Sequence, residues 1–237
     1  MGLEFAWWVT PGKFTLVFPH KLPGIALASL YTLLTLWLIY KRRTDFHRSK
    51  TRPWLLGLGV LLIGVTAGVG VLAADLHDFI PTAPLTQLAY PPAVSLVALS
   101  GVAAIAIWWG PGPGLVAGWV LGLLQARFTL LSFNDIFAYA AWGLCTGAII
   151  HHPYVGPFFQ RIRLPVIATT AGSVTLLLLL SLNRVVEAIP PLGLDTLEHL
   201  LGPINTGGEL WLVCGLAVGL VFTLLWAVAP QLRPRWR

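Results

Sequence analysis

In YTLLTLWLIYKRRTDFHRSKTRPWLLGLGVLLIG, residues 31–64, two apolar runs flank a connection that carries Lys41, Arg42, Arg43, Arg48, Lys50 and Arg52. An apolar helix of about 20 residues rises roughly 30 Å, the thickness of a bilayer's hydrocarbon core. Basic residues collect in the loops on the cytoplasmic side. The stretch therefore predicts two membrane spans joined at the inner face. Along the whole chain, apolar segments near 24–41, 54–74, 92–109, 114–131, 135–151, 164–182 and 210–229 predict seven spans in all. Threading the chain through them brings Arg161, Arg163, Arg233, Arg235 and Arg237 to the same side as the first loop. The other side keeps Lys13, Lys21, Arg127 and Arg184, together with every acidic residue except Asp45. The expected orientation has the N-terminus outside and the C-terminus inside.

Composition narrows the class. With 57% hydrophobic and 10% charged residues, the chain has too little polar surface to cover a water-soluble globule. Runs such as Leu56–Leu62 and Leu176–Leu180 are continuous and not alternating, which argues against an outer-membrane barrel. The expected fold is all-α, a polytopic transmembrane helix bundle. Its net charge of +6 reads as the positive-inside pattern plus attraction to anionic lipid headgroups. The basic residues hug span ends and form no basic soluble domain, so no nucleic-acid partner is expected. Residues 1–20 lack a basic n-region and are interrupted by Pro11, Lys13, Pro19 and His20, unlike a cleavable signal. Phe5–Phe18 is expected in the outer interface, anchored by Trp7 and Trp8. Trp54, Trp108, Trp109, Trp211 and Trp226 stand near span ends and read as an aromatic belt. Cys145 and Cys214 lie inside spans without metal or redox spacing, and read as packing residues.

The sharpest local signal is Trp109-Gly110-Pro111-Gly112-Pro113-Gly114, whose prolines and glycines predict a tight inward turn between the third and fourth spans. It leads into Gly114, Gly118 and Gly122, a stripe of small residues on one helical face. Gly64/Gly68, Gly143/Gly147 and Gly215/Gly219 repeat the spacing. In a membrane such stripes let backbones approach where apolar surface alone does not drive association. Two outward segments, Asp75–Pro91 and Asn183–Gly208, exceed turn length and read as caps, with Leu194–Leu201 a short amphipathic helix.

From Asp75 to Ile150 the chain resembles a known family. The outward acidic loop, the apolar span ending in Trp-Gly-Pro, the Gly-x-x-x-Gly helix and then Asn134-Asp135, Ala140-Ala141-Trp142-Gly143 and Gly147 resemble the substrate-binding (S) components of energy-coupling-factor vitamin transporters. The related membrane domain of Lyt-type sensor histidine kinases shares the Gly-Pro turn. The resemblance implies a six-span domain over 54–237, with 1–53 adding an interfacial segment, an extra span and the basic loop. It also implies a multi-pass protein of a prokaryotic cell membrane. A small-molecule ligand would bind in the outer half, and a transmembrane coupling protein with ATPases would dock at the inner face. Carried over by position, ligand contacts fall to Asp75, His77 and Asp78 of the first loop and to Arg127, Asn134 and Asp135 at the second. The last outer loop adds Asn183, Arg184, Glu187, Glu198 and Glu209. Gly64-x-x-x-Gly68 stands where the family carries an Ala-x-x-x-Ala coupling pattern.

Each polar residue also has a plainer reading. Arg127 and Asp135 flank a short outer turn and suit an ion pair. Asp75, His77 and Asp78 suit interfacial solvation, or a cationic ligand or metal if their loop folds inward. Glu209 suits the positive end of a helix dipole. Gln125 and Asn134 suit hydrogen bonding between helices. His151 and His152 have no histidine facing them at the same depth, so no haem is expected. Without a Ser/His dyad, paired membrane aspartates or an HExxH run, neither an enzyme nor a cofactor is expected. Three functions stay open: capture of a small molecule for a transporter, sensory input to a cytoplasmic kinase, and anchorage of a redox complex. For the last, Asp75-Leu76-His77 resembles the turn of polysulfide-reductase-type quinone subunits.

Overall fold

Backbone N–H and C=O groups find no water in hydrocarbon, so an apolar chain crossing it must bond to itself, and a helix does so within one segment. The computed structural model describes residues 6–7, 14–48, 57, 59–61, 63–64, 92–125, 131–153, 156–157, 163–188 and 209–233. Its helices are α1 (Leu22–Lys41), the short α2 (Asp45–Arg48), α3 (Pro92–Trp109), α4 (Pro111–Gln125), α5 (Phe133–Ile150), α6 (Pro165–Ala188) and α7 (Glu209–Val228). Single helical residues between 57 and 64 precede α3, and a 3-10 turn (Pro230–Leu232) follows α7. The fold is an all-α bundle. Among the described residues α1, α5, α6 and α7 are each long and apolar enough to cross a membrane, while α3 and α4 contribute shorter apolar stretches. The chain is an integral membrane protein.

α3 lies at the centre. Ala98, Leu99, Val102, Ala103, Ala104, Ala106 and Ile107 are wholly buried, consistent with a helix apolar on every side. α4, α5, α7 and Ile63 surround it. α4 and α5 touch backbone to backbone. A Cβ on Gly114 would sit 2.6 Å from the Gly143 carbonyl, and one on Gly122 would sit 2.9 Å from the Ile136 Cα. A Cβ on Gly118 would collide with the Tyr139 carbonyl, and one on Gly147 would lie 2.7 Å from Pro111. Gly215 and Gly219 seat α7 on Ser173 and Thr169 of α6 in the same way. Gly64 meets nothing within 4 Å.

Several expectations change. The predicted turn at 110–114 shrinks to Gly110, whose φ of +103° suits glycine alone. Pro111, Gly112, Pro113 and Gly114 instead form the first turn of α4, where a missing proline N–H costs nothing. The sixth span extends to Ala188 and not to 182, which turns Asn183, Arg184 and Glu187 from loop into helix. Burial of Asn183 against polar partners removes the cost of carrying it inside an apolar helix. Trp109 (1% exposed) and Trp226 (5%) fill the core and do not face headgroups. Trp108 donates its indole N–H to the Leu232 carbonyl at 2.8 Å and packs edge-on against Phe222. Ahead of α1, Ala6–Trp7 and Phe14–Val17 pair antiparallel, and Phe14–Val17 pairs in parallel with Leu131–Ser132. The N-terminal segment is thus tied to the start of α5 by a small three-stranded sheet.

Candidate functional site

The helix starting at Phe133 opens with Ser132-Phe133-Asn134-Asp135, a cap residue followed three positions later by an acid. This pattern satisfies exposed N–H groups at a helix start reciprocally. The Ser132 hydroxyl accepts from the Asn134 backbone N–H at 3.3 Å, and the Ser132 N–H donates to Asp135 Oδ2 at 3.2 Å. The cap draws the Asp135 side chain into the bundle, where it is 1% exposed.

A carboxylate buried this deeply must be met by donors. Asn183, near the end of α6 and wholly buried, donates its amide to Asp135 Oδ1 at 3.1 Å. The Asn183 carbonyl in turn accepts from the Tyr31 hydroxyl of α1 at 3.1 Å. Arg184 Nη2 stands 3.9 Å from Asp135 Oδ2, but its side chain is half exposed, so solvent weakens that contact. A relay therefore runs from α1 through α6 to α5 and holds three helices in register.

Asn134 is wholly buried beside Asp135. Its amide donates to the Gly24 carbonyl of α1 at 3.3 Å, which is interhelical bonding of the kind its sequence position predicts. Its Oδ1 finds no hydrogen-bond donor among the described residues. Aromatic rings close over the cluster: Phe18 stacks on Phe133 at 5.2 Å, and Phe137 contacts both Phe133 and Tyr31. A small depression above it is bounded by Val17–Lys21, Gly24 and Ser132.

Of the site residues expected from sequence, Asn134, Asp135, Asn183 and Arg184 come together here. Glu187 stands near the end of α6 and Glu209 begins α7, while their side chains fall outside the described set. Asp75, His77, Asp78, Arg127 and Glu198 also lie outside the described residues, and with them the expected Arg127–Asp135 ion pair; among the described residues Arg184 is a charged contact of Asp135. Sequence reasoning missed Tyr31 and Ser132. The Ser-x-x-Asp spacing was a signal for Ser132, whereas Tyr31 becomes polar machinery only once α1 packs against α6.

The opposite end of the bundle differs in charge. There the Asp45 side chain is buried over Gly110, His151 Nε2 lies 2.9 Å from the Ile107 carbonyl, and the Arg163 guanidinium donates to the His152 carbonyl. Lys41, Arg42, Arg43, Arg163 and Arg233 gather at this end. Among the described residues no three His, Cys, Asp or Glu side chains cluster as metal ligands. Comparison with protein-family models, with curated proteins and with solved structures finds no match to this chain.

Proposed function

We propose that this membrane protein captures a small, donor-bearing cationic molecule from the outer face, as a substrate-binding subunit of a transporter resembling the S components. One observation carries the reading: two acceptors, the Asp135 carboxylate and the Asn134 Oδ1, sit side by side at full burial, at the end of the bundle opposite Lys41, Arg42 and Arg43. An isolated buried acceptor costs about 1–3 kcal/mol, a cost a ligand donor would offset. The Phe18–Phe133–Phe137 rings add apolar and cation-attracting faces to the same place. The polar relay to α1 gives ligand binding a means of altering the α1 contact. Gly57 and Gly64 meet nothing within 4 Å, which supports an open helical face for a transmembrane coupling protein with its ATPases.

Native mass spectrometry of the gently extracted protein tests this. The expected result is a retained small molecule, or co-eluting coupling protein and ATPases, with retention reduced at least about tenfold by Asp135→Ala or Asn134→Ala. A ligand-free chain held to a kinase or to redox subunits would replace the reading with a sensor or an anchor.

A further inference from the structure

Of the four described helices long enough to cross a membrane, α1 is the least enclosed, and its exposed side has a direction. Leu30, Leu33, Leu34, Trp37 and Lys41 stand at i, i+3, i+4, i+7 and i+11, which places them on one helical face. All four apolar members are exposed, and Trp37 is 52% so. At the end of the stripe Lys41 Nζ lies 4.6 Å over the Trp37 ring, and Arg43 lies 4.9 Å over the exposed Tyr40 ring. Each aromatic and its cation thus form a unit with an apolar body and a positive tip, the arrangement suited to headgroup depth.

The turn that follows fixes this cationic end against the bundle. A Cβ on Gly112 would lie 3.0 Å from the Arg42 Cβ and 3.2 Å from the Phe46 ring, so the segment is seated on the start of α4. Asp45, the one acid between residues 5 and 74, is 4% exposed and faces Gly110. Lys41, Arg42 and Arg43 are exposed around it. Among the described residues this outward surface exposes Lys41, Arg42 and Arg43, and it continues directly into an apolar stripe.

We infer that this end of α1 is a binding site for an anionic glycerophospholipid, its phosphate held by Lys41, Arg42 and Arg43 and an acyl chain lying along Leu30, Leu33, Leu34 and Trp37. Charge complementarity selects the occupant: a zwitterionic lipid offers the same chains but repels the three cations with its own. The inference does not depend on the ligand proposed at Asp135, which lies at the other end of the molecule.

The test is native mass spectrometry of the full chain released from nanodiscs of equal parts dioleoyl phosphatidylglycerol and dioleoyl phosphatidylcholine. Nanodiscs remove any dependence on which way the protein inserts. The wild type is expected to retain the glycerol lipid in preference, and K41Q/R42Q/R43Q to lose that preference at least about tenfold, from three basic contacts at an anionic surface. Trp37→Leu keeps the charges and the fold, and is expected to shorten retention less. Equal retention of both lipids by the wild type would overturn the inference. So would an unchanged preference in the triple variant, or a protein dimer that holds no lipid. If the triple variant fails to fold, the wild-type preference and its collapse in 0.5 M salt decide the matter.

Discussion

Asp135 is an acid made tolerable by its neighbours. Among the described residues the Ser132 N–H, the Asn183 amide and, more remotely, the Arg184 guanidinium approach it. Replacing it with Ala leaves the Asn183 amide and the Ser132 N–H facing apolar space. The expected loss is about 1–3 kcal/mol of stability, read as a lower unfolding temperature by tryptophan fluorescence in detergent. An unchanged midpoint would mean that the relay carries no energy. Tyr31→Phe removes a single donor and should cost about 1 kcal/mol. The same variant checks whether α1 is held through the Asn183 carbonyl, because combining it with Asn183→Ala should cost less than the sum of the two changes. At this scale the sequence was partly legible. Asn134 and Asp135 stood out as polar residues at a span start, whereas Tyr31 sits in an apolar run and acquires its partner from a residue 152 positions away.

Between elements, the controlling feature is how closely α4 and α5 approach. Their glycines leave no room for a side chain, since a methyl group at Gly118 would meet the Tyr139 carbonyl, which cannot move without its helix. Gly118→Ala is therefore expected to destabilise by about 1–3 kcal/mol through overpacking. Gly64→Ala meets only open space and should change the midpoint little; it also gains helix propensity. Comparing the two variants by thermal unfolding separates packing from propensity, and equal effects would contradict the packing account. The Gly-x-x-x-Gly spacing was readable in the sequence for 114/118/122, 143/147, 215/219 and 64/68 alike. Spacing alone does not say which glycine has a partner: Gly118 meets the Tyr139 carbonyl, whereas Gly64, at the same spacing in its own stripe, meets nothing within 4 Å.

Across the whole molecule, charge divides the two ends. Of the described cations, Lys41, Arg42, Arg43, Arg163 and Arg233 share one end, while Lys21 and Arg184 stand at the other with the Asp135 cluster. Positive residues resist translocation, so the basic end is expected on the cytoplasmic side. Single cysteines at Arg43 and at Lys21, in a background lacking Cys145 and Cys214, provide the check. In intact cells an impermeant maleimide should label the cysteine at position 21 and spare the one at position 43. The reverse pattern would invert the topology and place the Asp135 cluster inside, which would defeat capture from outside.

Length and apolarity of each run were enough to announce a membrane helix bundle, because a continuous apolar segment has no other way to satisfy its backbone in hydrocarbon. Among the described residues most helix ends fell within a few residues of the expected ones, while the second expected span, 54–74, lies largely outside them. The exceptions share a cause. Asn183 and Arg184 read as loop residues because polarity usually marks a span's end, yet a buried partner let α6 run on past them. Trp109 and Trp226 read as interfacial because they stand near span ends, yet the faces that carry them turn inward. Sequence determined which segments enter the membrane; tertiary packing alone decided which faces meet, since that depends on contacts between residues far apart in the chain. The Tyr31–Asn183–Asp135 relay exists only at that level.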